Sequence, residues 1–144
     1  MDLQLGGDAA LVTASSSGLG KASARALAAE GSNVVLNGRD EERLAAAVED
    51  VRDDAADGAT VIGHAADITD PDAVEELVER PVAEFGRLDH LVTSAGGPPT
   101  KPFLETTDEE WYDAFDLLVM SVVRAVRAAA PHLRADGGGT IVTI

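Results

Sequence analysis

Residues 9–20 read AALVTASSSGLG, and the parsing of this stretch decides the fold. AALVT at 9–13 has the length and apolar character of a buried strand, and TASSSGLG at 13–20 reads as a tight connection into a helix. That helix should run to about Glu30 with Leu19, Ala22, Ala26 and Leu27 on one face. Small residues let backbone N–H groups approach an anion, Gly18 and Gly20 permit a tight turn and close helix packing, and the helix points its positive end at the guest. A pyrophosphate is the natural guest of such a turn. A plain strand-to-helix turn could also carry two glycines; the position after the first strand of a βαβ unit is what favours the anion site.

Working outward, short apolar runs alternate with amphipathic stretches. NVVLN (33–37) is a second strand, after which Asp40 caps a helix with Leu44, Val48 and Val51 at helical spacing. ATVIGHA (59–65) is a third, followed by Asp70 as N-cap and Pro71 in the first turn of a helix carrying Val74, Leu77, Val78 and Phe85. Pro81 inside it should kink or shorten that helix. LDHLVTS (88–94) is a fourth strand, and Thr107 with Glu110 forms a capping box for a long helix striped by Trp111, Phe115, Leu118, Val122, Val126 and Leu133. GGGTIVTI (137–144) gives a fifth, read as buried. Continuous apolar strands separated by helices imply a parallel sheet covered on both faces. Right-handed crossovers then give an α/β, doubly wound parallel sheet of Rossmann type, with strand order 3-2-1-4-5.

With 144 residues and 45% hydrophobic composition the chain is read as one domain with a sizeable core. No cysteine is present, so disulfides and thiolate metal sites are excluded. No leader pattern and no apolar run of membrane-spanning length is found, which reads as cytoplasmic. The net charge of −15 opposes nucleic-acid and anionic-membrane partners. With only Lys21 and Lys101 as lysines, it suggests a halophilic protein kept soluble at high salt; an ordinary acidic surface is the alternative. His64, His90 and His132 lack metal-ligand spacing and read as structural. Trp111 and Phe115 read as helix core, and the carboxylates at 49–57 and 75–84 as solvated helix faces. A Walker A loop is excluded by Ser15 and by Ala22 after the lysine, and G-x-G-x-x-G is absent.

TASSSGLG after the first strand, ADI at 66–68 after the third, TSAG at 93–96 after the fourth and GGGTIVTI at the fifth together resemble the N-terminal, cofactor-binding part of the short-chain dehydrogenase/reductase family, of the kind often called 3-oxoacyl carrier reductase. The resemblance runs through essentially the whole chain. It implies pyrophosphate binding by Thr13, Ser15, Ser16, Ser17, Gly18, Leu19 and Gly20, adenine flanked by Asp67 and Ile68, and Ser94, Ala95 and Gly96 against the adenosine side. It further implies hydride transfer between a nicotinamide cofactor and a carbonyl or alcohol. Gly38 stands where NAD-using relatives tend to place Asp, and Arg39 follows it, which favours NADP(H). Arg39 could instead be a solvated turn residue neutralised by Asp40.

Several positions depart from the family pattern. Ala14 replaces the usual first glycine, which should be tolerated but tighten the turn. Thr93 and Ser94 replace paired asparagines, and Leu118 stands where many relatives carry a helix Asn. Family chemistry uses a Tyr with a Lys four residues later and a Ser; here the only tyrosine is Tyr112, followed four residues on by Asp116. Lys21 belongs to the cofactor loop and Lys101 to the loop after strand four. Ser121 reads as a core or helix-surface serine. The expectation is an incomplete domain, inactive alone, that would need a separately encoded C-terminal half. A non-catalytic nucleotide-binding module and a decayed fragment are the alternatives. An unpaired edge at the last strand and uncovered faces invite self-association.

Overall fold

The computed structural model describes residues 3–144, the Asp136 side chain apart. Five parallel strands, β1 (Ala9–Val12), β2 (Asn33–Gly38), β3 (Val61–Ala65), β4 (His90–Thr93) and β5 (Thr140–Thr143), form one sheet in the order β3-β2-β1-β4-β5. The expected order is the one observed. Register pairs Leu11 with Val35 on one side and with Leu91 on the other.

Period-two alternation along the strands splits the core in two. Ala10, Val12, Val34, Leu36 and Val92 face α1 (Gly18–Ala29) and α2 (Glu41–Arg52), burying Ala24, Ala28, Leu44, Val48 and Val51. Leu11, Val35 and Leu91 face α3 (Pro71–Phe85) and α5 (Ser121–Leu133), burying Val74, Leu77, Val78, Ala125 and Ala129. Each fully buried Leu or Val adds about 1.5–3 kcal/mol of transfer free energy.

The helix starts follow the sequence signals. Asp40 accepts from the Arg43 N–H at 2.9 Å, and Asp70 accepts from the Asp72 and Ala73 N–H groups. Ahead of α4 (Asp108–Phe115) the box is complete: the Glu110 N–H donates to Thr107 Oγ1 at 3.3 Å and the Thr107 N–H to Glu110 Oε2 at 2.8 Å.

Four expectations need correction. The face of α1 that packs is Gly20, Ala24 and Ala28, with Leu27 partly buried, while Leu19, Ala22 and Ala26 point outward. An alanine-rich helix offers little contrast between its faces, so the stripe was placed in the wrong register. Pro81 does not shorten its helix: α3 runs through it to Phe85, with Pro81 buried. The long helix is two α-helical halves, α4 and α5, joined by a π-helical turn over Asp116–Met120. Arg124 holds Asp116 across that turn at 2.6 Å, and Ser121 Oγ donates back to the Leu117 carbonyl at 2.5 Å.

The fourth concerns the aromatic stripe and the last strand. Trp111 and Phe115 are 52% and 54% exposed rather than core, and all four residues of β5 are exposed. Apolar periodicity reports that a face wants cover; it does not say that the cover lies within these residues.

Candidate functional site

Beyond the carboxyl ends of β1, β2 and β4 lies an open cleft of about 930 Å³. It sits at the topological switch point between β1 and β4, where sheets of this kind receive ligands. One wall is the turn between β1 and α1, with Ala14, Ser16, Ser17, Gly18 and Leu19. The second is Gly38, Arg39, Asp40 and Arg43, where β2 passes into α2. Ala66, Asp67 and Ile68 after β3 and Ser94 to Gly97 after β4 complete it, with Leu117 and Ile144 at the far side.

The turn is held by buried polar groups. Ala14 adopts φ +45°, a left-handed conformation that a residue with a Cβ seldom takes, and its N–H donates to Asn37 Oδ1 at 3.0 Å. Asn37 is 1% exposed and uses its amide as a donor to the His64 and Ala66 carbonyls, at 3.2 and 3.1 Å. One side chain thus ties the first turn to the end of β3. Ser15 Oγ donates to the Val12 carbonyl at 2.7 Å and accepts from the Asn37 N–H at 2.9 Å. Thr13 Oγ1 donates to the Ser94 carbonyl at 2.7 Å and accepts from the Ser94 N–H at 2.9 Å, fastening β1 to the segment after β4.

These bonds sort the sequence-selected residues. Ser16, Ser17, Gly18, Leu19, Arg39, Asp67, Ile68, Ser94, Ala95 and Gly96 all line the cleft. Thr13, Ser15 and Gly20 lie behind the wall, where they shape it. At Gly20 a Cβ would meet the Ala14 carbonyl oxygen at 2.7 Å, so only glycine lets α1 come this close to the turn. At Gly38 a Cβ would lie 3.1 Å from the Ser16 side chain.

The residues present fit an anionic dinucleotide. The first N–H groups of α1 have no intrahelical acceptor, and Ser17 at the N-cap makes no side-chain cap bond. Arg39 and Arg43 are exposed in the cleft and neither forms an ion pair among the described residues. Lys21, Arg25, Arg52, Arg80, Arg87, Lys101 and Arg124 all do. Asp40 forms no salt bridge with Arg39 among the described residues; its Oδ1 accepts the Arg43 N–H as the cap of α2. Lys21, assigned from sequence to the cofactor loop, instead pairs with Asp50 on α2.

Asp67 is ionised and pre-set. The Thr69 N–H and then the Thr69 hydroxyl, both donating to Asp67 Oδ1 at 2.9 and 2.8 Å, hold its carboxyl below the ordinary range, with the Arg39 charge adding to the effect. Tyr112 is exposed and lies off the cleft, and Asp116 four residues later is bound to Arg124. His90 joins Asp8 to Thr140 and His132 meets Glu79, both away from the cleft. No group of three or more His, Asp or Glu is arranged for a metal among the described residues.

Sequence reasoning missed Asn37, Arg43 and Leu117. For Asn37 a signal existed, an amide closing the apolar run VVL at the ligand end of its strand; Arg43 and Leu117 carry none that a helix surface would not also show.

The comparisons with known proteins agree with this geometry. The family described as short chain dehydrogenase matches residues 8–144. The uncharacterised oxidoreductase YvrD of Bacillus subtilis is 39% identical over 144 residues, covering 100% of this chain and 53% of its own length. L-Sorbose reductase from Gluconobacter frateurii, solved with NADPH and L-sorbose, superposes with a TM-score of 0.91 at 38% identity, over 99% of this chain and 54% of its own. A 7α-hydroxysteroid dehydrogenase solved with NADH and 7-oxo glycochenodeoxycholic acid gives a TM-score of 0.90 at 29% identity, over 99% and 55%. This chain therefore spans about half the length of the relatives it matches. With residues 8–144 matched and the chain superposing on both of these solved structures, it belongs to the short-chain dehydrogenase/reductase family, whose members bind a nicotinamide dinucleotide.

Proposed function

We propose that this chain is the NADP(H)-binding portion of a short-chain oxidoreductase acting between a carbonyl and an alcohol. The observation that carries the reading is the corner where β2 ends. Gly38 stands where an acid would read a ribose 2′-hydroxyl, and Arg39 beside it faces the cleft without an ion pair among the described residues. The NADPH in the sorbose reductase supports the preference, and the NADH in the hydroxysteroid dehydrogenase shows that the fold by itself does not set it.

When bound, the dinucleotide supplies hydride transfer. What these residues contribute is binding and orientation. The N–H groups opening α1, with Ser16, Ser17, Gly18 and Leu19, take the pyrophosphate; Asp67 and Ile68 flank the adenine; Ser94, Ala95 and Gly96 lie along the adenosine side. Thr13, Ser15, Gly20 and Asn37 act one layer back, fixing the backbone that makes those contacts. Proton transfer is assigned to residues outside these 144, since Tyr112 has Asp116 rather than Lys four residues on. A separately encoded C-terminal half is one source of them. The same observation favours a second reading, a nucleotide-binding module without catalysis. Either reading describes a cytoplasmic, acidic protein without nucleic-acid or membrane partners; no described helix is long and apolar enough to cross a membrane.

Calorimetric titration with NADPH and NADH tests the cofactor reading. A charge-assisted bond to the 2′-phosphate predicts NADPH tighter by about ten- to a hundredfold. Equal affinities would overturn it. Steady NADPH oxidation by the pure chain with a panel of ketones would overturn the assignment of proton transfer elsewhere.

A further inference from the structure

We infer that Arg43 is a second specificity-determining residue, reading the same 2′-phosphate as Arg39, so that the dinucleotide is selected by two cations set either side of the Asp40 cap. This rests on the NADP(H) reading above.

Arg43 is the third residue of α2, and its own N–H is fixed by Asp40 Oδ1 at 2.9 Å. The backbone at the root of this arginine is therefore pinned at the edge of the cleft. Its side chain is exposed, lines the same corner as Arg39 and forms no ion pair among the described residues. The placement also runs against helix electrostatics. The positive end of a helix favours acids, and Glu41 and Glu42 in the first turn obey that rule, whereas Arg43 opposes it. It also brings a second cation into the corner that Arg39 already occupies. Local rules broken together in this way are characteristic of functional positions.

An external anion resolves the conflict. Two arginines, Arg39 and Arg43, and two acids, Asp40 and Asp67, line the cleft. Both acids have Oδ1 occupied by local hydrogen bonds, Asp40 with the Arg43 N–H and Asp67 with Thr69. Neither forms a salt bridge to an arginine of the corner among the described residues, so both guanidinium groups keep their donors for an outside anion. A phosphate monoester with a second pKa near 6 is close to a dianion at neutral pH, and it offers three acceptor oxygens, enough for two guanidinium groups.

The test compares 2′,5′-ADP with 5′-AMP by calorimetry on the wild-type chain and on Arg43→Gln and Arg43→Lys. The wild type should prefer 2′,5′-ADP by about tenfold or more. Arg43→Gln should lower that preference by about tenfold while leaving 5′-AMP binding unchanged, and Arg43→Lys should restore part of it. If the wild type does not discriminate, the NADP(H) reading itself fails. If it discriminates and Arg43→Gln keeps the full ratio, Arg39 acts alone and this inference is wrong. An equal loss for both ligands would mean that Arg43 supports the cleft generally, which also overturns it.

Discussion

Asn37 Oδ1 accepts the N–H of Ala14 at 3.0 Å while Ala14 sits at φ +45°. The left-handed residue at the start of the phosphate turn is thus locked by a buried amide from the neighbouring strand. Ala14→Gly should relieve the strain and stabilise the fold by about 0.5–1 kcal/mol, net of the extra freedom glycine has when unfolded. Asn37→Leu should cost about 2–4 kcal/mol by stranding the Ala14 N–H and the carbonyls of His64 and Ala66. Urea unfolding of the two variants measures both. A destabilised Ala14→Gly would mean that the turn is not strained.

Acid stability should depend on Asp89. This residue is 7% exposed; burial alone would raise its pKa, but the Arg87 guanidinium and the Ala9 N–H outweigh it and the net shift is downward from 3.8. A lowered folded-state pKa stabilises the fold above the unfolded value, and that contribution is lost as pH falls through the folded one. Asp89→Asn should therefore cost about 1–3 kcal/mol at neutral pH and show a flatter loss of stability below about pH 4. Denaturant midpoints for both proteins across that range decide it.

The outer face of α4 should drive association. Phe103 and Trp111 stack edge to face with ring centroids 6.0 Å apart, and both are exposed together with Tyr112, Phe115 and Leu118. An apolar surface of this kind is a protein contact site by default. Sedimentation should find the wild-type chain self-associated and Trp111→Glu with Phe115→Glu shifted to monomer. A monomeric wild type at high concentration would contradict the expectation.

Salt should stabilise the chain. At about 1 M salt the Debye length is about 3 Å, short enough to silence most of the repulsion within a net charge of −15. Thermal melts should shift upward from about 0.1 M to about 1 M salt, and an unchanged midpoint would sink the halophilic reading.

The sheet was legible because each strand is a short apolar run bounded by turn residues, and the helix starts because Asp40, Asp70 and Thr107 with Glu110 are local capping chemistry. What escaped had non-local causes. The packed face of α1 is set by the approach of Gly20 to Ala14, which no alanine count reveals. The exposure of Trp111 and of β5 depends on what else covers them. Thr13 and Ser15 look like ligand-contacting hydroxyls in the motif, yet their bonds to Ser94, Val12 and Asn37 use them as internal fasteners. Arg39 was legible as a charge and Asp40 as a cap; that Arg43, in the first turn of α2, would line the same corner was not.

The most direct measurement is amide chemical-shift mapping of the chain titrated with NADP⁺. Binding in the cleft predicts shifts concentrated at Ser16 to Leu19, Gly38 to Arg43, Asp67 and Ile68, and Ser94 to Gly96. Shifts confined elsewhere, such as the groove between α2 and β3 lined by Leu44, Val48 and Gly63, or none at saturating ligand, would contradict the assignment of this cleft to the dinucleotide.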